Sequence, residues 1–518
     1  MPQKLTSLLA AAALLLSCSA CSSATGPVVE GETQINLSDS TITVDGSPAS
    51  TDPTSAVYTG AELVYYHDGT DETYGEGLAD EMHSQADALA HTVLTITQPG
   101  TYRLTGTLSQ GQVAVDLGED AAQDPQAVVT LILDQVDVTC TVAPALIFYR
   151  VYECGTAETE TAAADVDTSA AGANVVIAAG TENHFTGSHV ARIYQEGTTD
   201  KLHKYDGAFY SKMSMNIRGD NGDDSGVLNI VSDNEGLDSE LHLTVDGGTI
   251  HIQAQDDGIN TNEDGVSVTT INGGSLTINA GLGTEGDGID SNGYLVINGG
   301  TVWSMANETS PDGGIDADMA ILLNGGTVYA FGTRNDAVDA SSSQPYMELS
   351  FASTLPAGSV ISVQDPDGQE IISAITEKTC QSVTVSCPDL SEDIAYAVYV
   401  DGVQQQYTGN RSGMMGGPGG GQPPDGMGGG QRPDNMEPPQ EGEQVQTTER
   451  PEPTQDTPQV QPTDGLEEPP AGGTAGQPDS DRTPPDGMED RQPPDGFGPS
   501  QTGGPGSEGF DSRPGYKD

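Results

Sequence analysis

The chain has 518 residues, 66 of them Gly and 32 Pro, so part of its length lacks the apolar density to bury a core. Its 78 acidic residues against 17 basic ones give a formal net charge of −61, which repels a phosphate backbone and excludes nucleic acid as a partner. The same charge suits the solvated surface of an exported protein, or a store of oxygen ligands for hard cations such as Ca²⁺.

Residues 1–17 carry Lys4 and an apolar run from Leu8 to Leu16, the layout of a secretory signal peptide too short to cross a bilayer. The run Leu15-Leu16-Ser17-Cys18 resembles a bacterial lipobox, which predicts lipidation of Cys18, with Cys21 as the alternative. An ordinary cleaved signal with incidental cysteines is the competing reading. The lipobox implies a chain anchored through residues 18–33 to the extracellular face of the bacterial cytoplasmic membrane. Export leaves Cys140, Cys154, Cys380 and Cys387 where disulfides persist. Cys140 with Cys154 and Cys380 with Cys387 are two local pairings, and sequence does not fix the connectivity.

From residue 34 the chain mixes strand-like pieces with an acidic insertion, and alternating apolar runs begin at Thr92. The organising feature is an internal repeat. Asp246-Gly247-Gly248, Asn272-Gly273-Gly274, Asn298-Gly299-Gly300 and Asn324-Gly325-Gly326 follow one another at a spacing of 26 residues. A fixed period of this size with β-rich units points to a solenoid whose units bury their apolar faces only by stacking. Each repeat offers three strand candidates, so residues 34–343 are expected to form an all-β, right-handed parallel β-helix with three strands per coil. Residues 345–408 read as a small, separate β module. Residues 409–518 collapse to Gly, Pro, Gln, Asp and Thr, with Pro-Pro-Asp-Gly recurring, and are expected to be a disordered acidic tail that spaces the protein or contacts the cell wall.

Two constellations carry the chemistry. Asp256, Asp257, Glu285, Asp287, Asp290, Asp312, Asp316, Asp336 and Asp339 recur at one corner of the repeats, where stacked carboxylates repel unless a cation lies between them. Ca²⁺ is the expected cofactor, because it takes six to eight oxygen ligands in flexible geometry. Simple turn capping by the same Asp and Asn residues is the plainer alternative. The second constellation is the outward face of the repeat strands, with His251, Thr277, Trp303 and Tyr329 in one column and Gln253, Asn279, Met305 and Phe331 in the next. Flat aromatic rings beside amides suit a polysaccharide, whose C–H faces stack on π-systems while its hydroxyls bond to Gln253 and Asn279. Packing of these aromatics under another segment is the competing reading. For catalysis, Arg334 is the one weak candidate base, since Lys201, Lys204 and Lys212 fall in an irregular insertion.

The run from Ile96 to Leu108, the segment Val129 to Val138 ending Leu-Asp-Gln-Val-Asp-Val, and the Asp-Gly-Ile and Asn-Gly-Gly repeats resemble the bacterial carbohydrate-binding β-helix family, which is related in shape to polysaccharide lyases. The resemblance spans roughly residues 34 to 342. It implies binding of cellulose or acidic sugars, bound Ca²⁺ and no established catalysis. The chain departs from the pattern in insertions around Tyr65 to Ala90 and Glu153 to Ala173, and at Gly313, which stands where Asp is expected. The leading expectation is a non-catalytic surface lipoprotein that binds polysaccharide. A calcium-dependent polysaccharide lyase and a structural or adhesive surface protein are the alternatives.

Overall fold

The computed structural model describes residues 31–61, 63, 85–189 and 205–409. The expected signal peptide, Cys18, Cys21, most of the expected tether, most of the first insertion and the residues beyond Gly409 lie outside the described residues. What is described is all-β: helix among the described residues is confined to Gln85–Leu89 and two short 3-10 turns.

Three parallel ladders organise the repeats. The first stacks His242–Val245, Val268–Ile271, Tyr294–Ile297 and Ala320–Leu323. The second stacks Thr249–Ala254, Ser275–Asn279, Thr301–Met305 and Thr327–Gly332. The third stacks Gly207–Ser211, Glu235–Ser239, Ile259–Thr261 and Ile289–Ser291. The first two belong to one 20-stranded sheet and the third to an 8-stranded sheet, and all three continue toward the N-terminus.

Alternation explains the register. Ile250, Leu276, Val302 and Val328 are paired neighbours along the second ladder and are buried, as are Ile252, Ile278, Ser304 and Ala330. Leu243, Leu295 and Ile321 line the first ladder, and Leu237, Ile259 and Ile289 the third, all facing one continuous core. Each fully buried aliphatic side chain contributes about 1.5–3 kcal/mol, and a slip of one residue would turn the whole column to solvent.

The Asn-Gly-Gly motifs form the corners between the first and second ladders. Asn272 Nδ2 donates to Asp246 Oδ1 at 2.8 Å, Asn298 Nδ2 to Asn272 Oδ1 at 2.9 Å, and Asn324 Nδ2 to Asn298 Oδ1 at 3.0 Å, a side-chain ladder at the 26-residue spacing. Gly300 sits at φ +76° against the backbone of Gly273, 2.8 Å from where a Cβ would stand, so this corner admits no side chain.

Residues 346–408 are not a separate module. Cys380–Ser386 pairs antiparallel with Thr327–Gly332, and Tyr346–Leu355 pairs with Cys380–Ser386, so the second ladder is extended by two antiparallel strands. A four-stranded sheet of Glu370–Ile375, Val360–Gln364, Ala397–Val400 and Val403–Gln404 forms a further layer. Ile361, Val363, Ile372 and Val398 from this layer share a second core with Met305 and Phe331 of the repeats.

Neither of the two possible local pairings is formed: Cys140, Cys154, Cys380 and Cys387 are free thiols. Cys380 opens the seven-residue strand Cys380–Ser386 and Cys387 follows its end, and an extended strand of that length separates the two by about 23 Å. Burial pushes the Cys140 and Cys380 thiols up to about 12, leaving both as small core side chains.

Candidate functional site

The outward columns of the second ladder are in the expected register. His251, Thr277, Trp303 and Tyr329 are successive partners, as are Gln253, Asn279, Met305 and Phe331. Toward the N-terminus the columns continue through Asn229 and His184, and through Val231 and Thr186.

Their exposure divides sharply. His184, Thr186, Val231, His251 and Gln253 are exposed and Thr277 and Asn279 half-buried, whereas Met305 and Phe331 are buried and Trp303 and Tyr329 half-buried. The Trp303 ring lies 5.0 Å from Tyr329 and 4.9 Å from Phe331. The expectation that Trp303, Tyr329 and Phe331 form an open platform is therefore corrected: these side chains pack beneath the four-stranded sheet, and Phe331 is 2% exposed. The cause is the area at stake. Neighbouring Trp, Tyr, Phe and Met side chains bury far more apolar surface under a second sheet than the His, Gln, Thr and Asn positions before them would. The Trp303 indole Nε1 and Asn279 Oδ1 are both buried without a hydrogen-bond partner at this boundary.

Lys378, which sequence reasoning missed, secures the boundary. Its Nζ donates to the carbonyl oxygens of Ala306, at 3.0 Å, and Ala280, while Thr379 N donates to Glu308 Oε1 at 2.6 Å. Burial holds the Lys378 ammonium down at about 8, with Glu308 opposing the shift. Nothing local to Glu377-Lys378-Thr379 marks the contact, because its partners lie some seventy to a hundred residues earlier.

The acidic corner forms two columns beside the third ladder. In one, Asp257 Oδ1 accepts from Asp287 N and Asp287 Oδ1 accepts from Gly313 N, each at 2.6 Å, while Asn335 Oδ1 accepts from Gly314 N at 2.7 Å. Each carboxylate thus caps a backbone donor of the following repeat. In the other, Asp238, Asn260 and Asp290 are paired neighbours, and Asp316 follows through its N–H to Ile289 O at 2.8 Å. Asn260 Nδ2 donates to Glu235 Oε1 at 2.8 Å and Asn262 Nδ2 to Asp238 Oδ1 at 2.7 Å. Asn262 was not foreseen, although its place two residues after Asn260 puts it on the same side of the strand.

Burial raises the Asp287 carboxyl to about 8, with Asp316, Asp290 and Asp312 adding repulsion. Burial raises Asp316 to about 7, helped by Asp336, and Asp290 to about 6, helped by Asp318. Asp238 and Asp257 are driven up the same way, each with Glu235 as the leading neighbour.

The remaining predicted residues flank these columns or lie away from them, with Asp312 near Asp287, Asp336 near Asp316 and Asp256 near Asp257. Asp312 Oδ2 accepts from Gly286 N at 2.7 Å and from the Ser310 hydroxyl, and Glu285 is exposed. Asp256 is half-buried. Asp339 is exposed and caps Ser341, whose bonds hold its carboxyl below the usual range. Among the described residues no group of three or more His, Cys, Asp or Glu side chains converges on one point as a metal-binding set. The donors nevertheless suit a hard cation: all are oxygens, and Asp238 Oδ2 and Asn260 Oδ1 are buried without a hydrogen-bond partner.

Arg334 is exposed and pairs with Asp336 at 3.5 Å. Lys212 is half-buried, with its ammonium 5.1 Å from the Tyr149 ring and 5.8 Å from the Tyr205 ring. Lys201 and Lys204 lie outside the described residues.

No curated protein matches the chain. A solved structure described as the polysaccharide lyase-like protein from C. thermocellum, gadolinium derivative, is 19% identical and is matched over 57% of this chain and 92% of its own, with a TM-score of 0.34. A family model described as carbohydrate-binding domain-containing protein matches residues 90–156 and 154–368, a span that includes all three ladders of the repeats, their acidic corner and part of the layer that follows. With more than half of its length matched, the chain belongs to the family of carbohydrate-binding domain-containing proteins.

Proposed function

We propose that the protein is a non-catalytic surface lipoprotein that binds polysaccharide, cellulose-like or acidic, on the uncovered part of the second ladder. The three ladders are read as the sides of a right-handed parallel β-helix, with Ca²⁺ held along the acidic corner and a lipid on Cys18. The observation that carries the binding reading is the register-locked row of exposed His184 and His251 with half-buried Asn229 and Thr277, beside exposed Thr186, Val231 and Gln253 and half-buried Asn279, within a chain of the carbohydrate-binding family. Such a row offers amide, imidazole and hydroxyl groups at a spacing of about 4.8 Å on a stiff support, so little entropy is lost when a chain settles on it.

A Ca²⁺ ion would take oxygens from Asp238, Asn260, Asp290, Asp257 and Asp287, and its charge would offset both the burial and the repulsion that raise the four carboxyls. Lyase chemistry finds little support in Arg334, which is exposed and already paired with Asp336. Binding without bond cleavage is the reading retained.

The test is retention of the full chain on amorphous cellulose and on immobilised polygalacturonate, with and without chelator. Gln253→Ala combined with His251→Ala is expected to weaken retention about tenfold, the equivalent of one or two net hydrogen bonds. Equal retention of the variant and the parent chain would move the ligand off this face.

A further inference from the structure

Among the described residues, the uncovered face is open at one end and closed at the other. Along its first column Asp137, His184, Asn229, His251 and Thr277 stand on consecutive repeats, a run of about 19 Å at the parallel-strand spacing. At the next repeat the column reaches Trp303, where the layer of Glu370–Ile375, Val360–Gln364, Ala397–Val400 and Val403–Gln404 begins to cover the face. Stacked sheets stand about 10 Å apart, so this layer rises from the floor as a step roughly one side-chain layer thick. The step is fixed. Five backbone pairs join Thr327–Gly332 to Cys380–Ser386 beneath it, and Lys378 and Glu308 tie it to the repeats that carry Asn279 and Trp303.

Resting on the proposed polysaccharide-binding function, we propose that this step is a chain-end subsite. A polysaccharide lying along the stacking direction cannot run past Trp303, so it binds with one terminus against the step. Thr277, Asn279 and the half-buried Trp303 surround its last sugar, and Gln253, His251 and Asn229 follow the units behind it. The apolar edge of Trp303 offers the terminal ring a C–H contact, and Asn279 and Gln253 offer amides to its hydroxyls. The protein then counts chain ends rather than chain length.

The experiment compares the full chain on amorphous cellulose and on polygalacturonate before and after partial acid hydrolysis, at equal polysaccharide mass. Capacity is expected to rise in proportion to the number of ends. Soluble four- to six-unit oligomers are expected to compete as well as the polymer, mole for mole of chain. Asn279→Ala, and Trp303→Phe, which keeps a ring in the core, are expected to weaken oligomer binding about three- to tenfold with the melting temperature little changed. Capacity that follows mass and ignores hydrolysis would overturn the chain-end subsite, since the polysaccharide would then cross the face, while leaving the binding function intact. Failure to bind either polysaccharide or any oligomer would overturn the binding function itself, and the subsite with it.

Discussion

Gln253 and Phe331 stand in one column on the same side of one sheet, three repeats apart, yet the first meets solvent and the second is sealed beneath another layer. Their substitutions should separate accordingly. Phe331→Ala is expected to destabilise the fold by about 3–5 kcal/mol, read as a lowered melting temperature, and to leave glycan retention of the folded fraction unchanged. Gln253→Ala is expected to shift stability by less than about 0.5 kcal/mol while weakening retention. A Phe331→Ala protein with unchanged melting but lost retention would return the aromatic column to the ligand. The column itself was legible because alternation within a strand is local. Its covering was not, because Ile361, Val363 and Val398 come from residues whose return over the repeats no local pattern records.

Among elements, the acidic columns respond to pH in a predictable direction. Asp287, Asp316 and Asp290 titrate at about 8, 7 and 6 in the folded chain, against about 3.9 for an unperturbed Asp. The folded state therefore binds these protons more tightly than the unfolded state. The stabilisation they provide is complete below about pH 4 and is lost as pH rises through 6 to 8. In chelator, the melting temperature is expected to fall by several degrees between pH 5 and pH 8.5, and millimolar Ca²⁺ at pH 8.5 to restore it. A melting temperature that climbs over this range in chelator would contradict the buried-carboxyl account. The columns were visible in the spacing of the Asp-Gly-Ile motifs, because strand registers translate a fixed period into stacked side chains. The free thiols of Cys380 and Cys387 illustrate the converse, since nearness in sequence along an extended strand is distance in space.

At the scale of the described fold, antiparallel strands close the N-terminal end of each sheet and the C-terminal end of the second ladder. Glu32–Leu37 is flanked by Thr43–Val44, Thr92–Ile96 by Val57–Gly60, and Thr327–Gly332 by Cys380–Ser386. An open parallel edge would invite another chain to continue the stack. Deleting residues 345–408 frees the edge of Thr327–Gly332 and uncovers Met305 and Phe331, so self-association detectable by light scattering is expected. A deletion protein that stays monomeric would mean that the antiparallel closure is dispensable. The closure was invisible in the sequence, where the repeat signature simply fades after Asn324.

The constancy of the 26-residue corner has a consequence for how this molecule changes over generations. Asn272, Asn298 and Asn324 are chemically equivalent links, each bonded to the one before it, and the strands between them share one register. Duplicating or losing one such unit in the gene would leave every remaining link, column and end piece matched. Floor length is then free to vary in steps of about 4.8 Å under selection, while the step that receives the ligand is inherited unchanged.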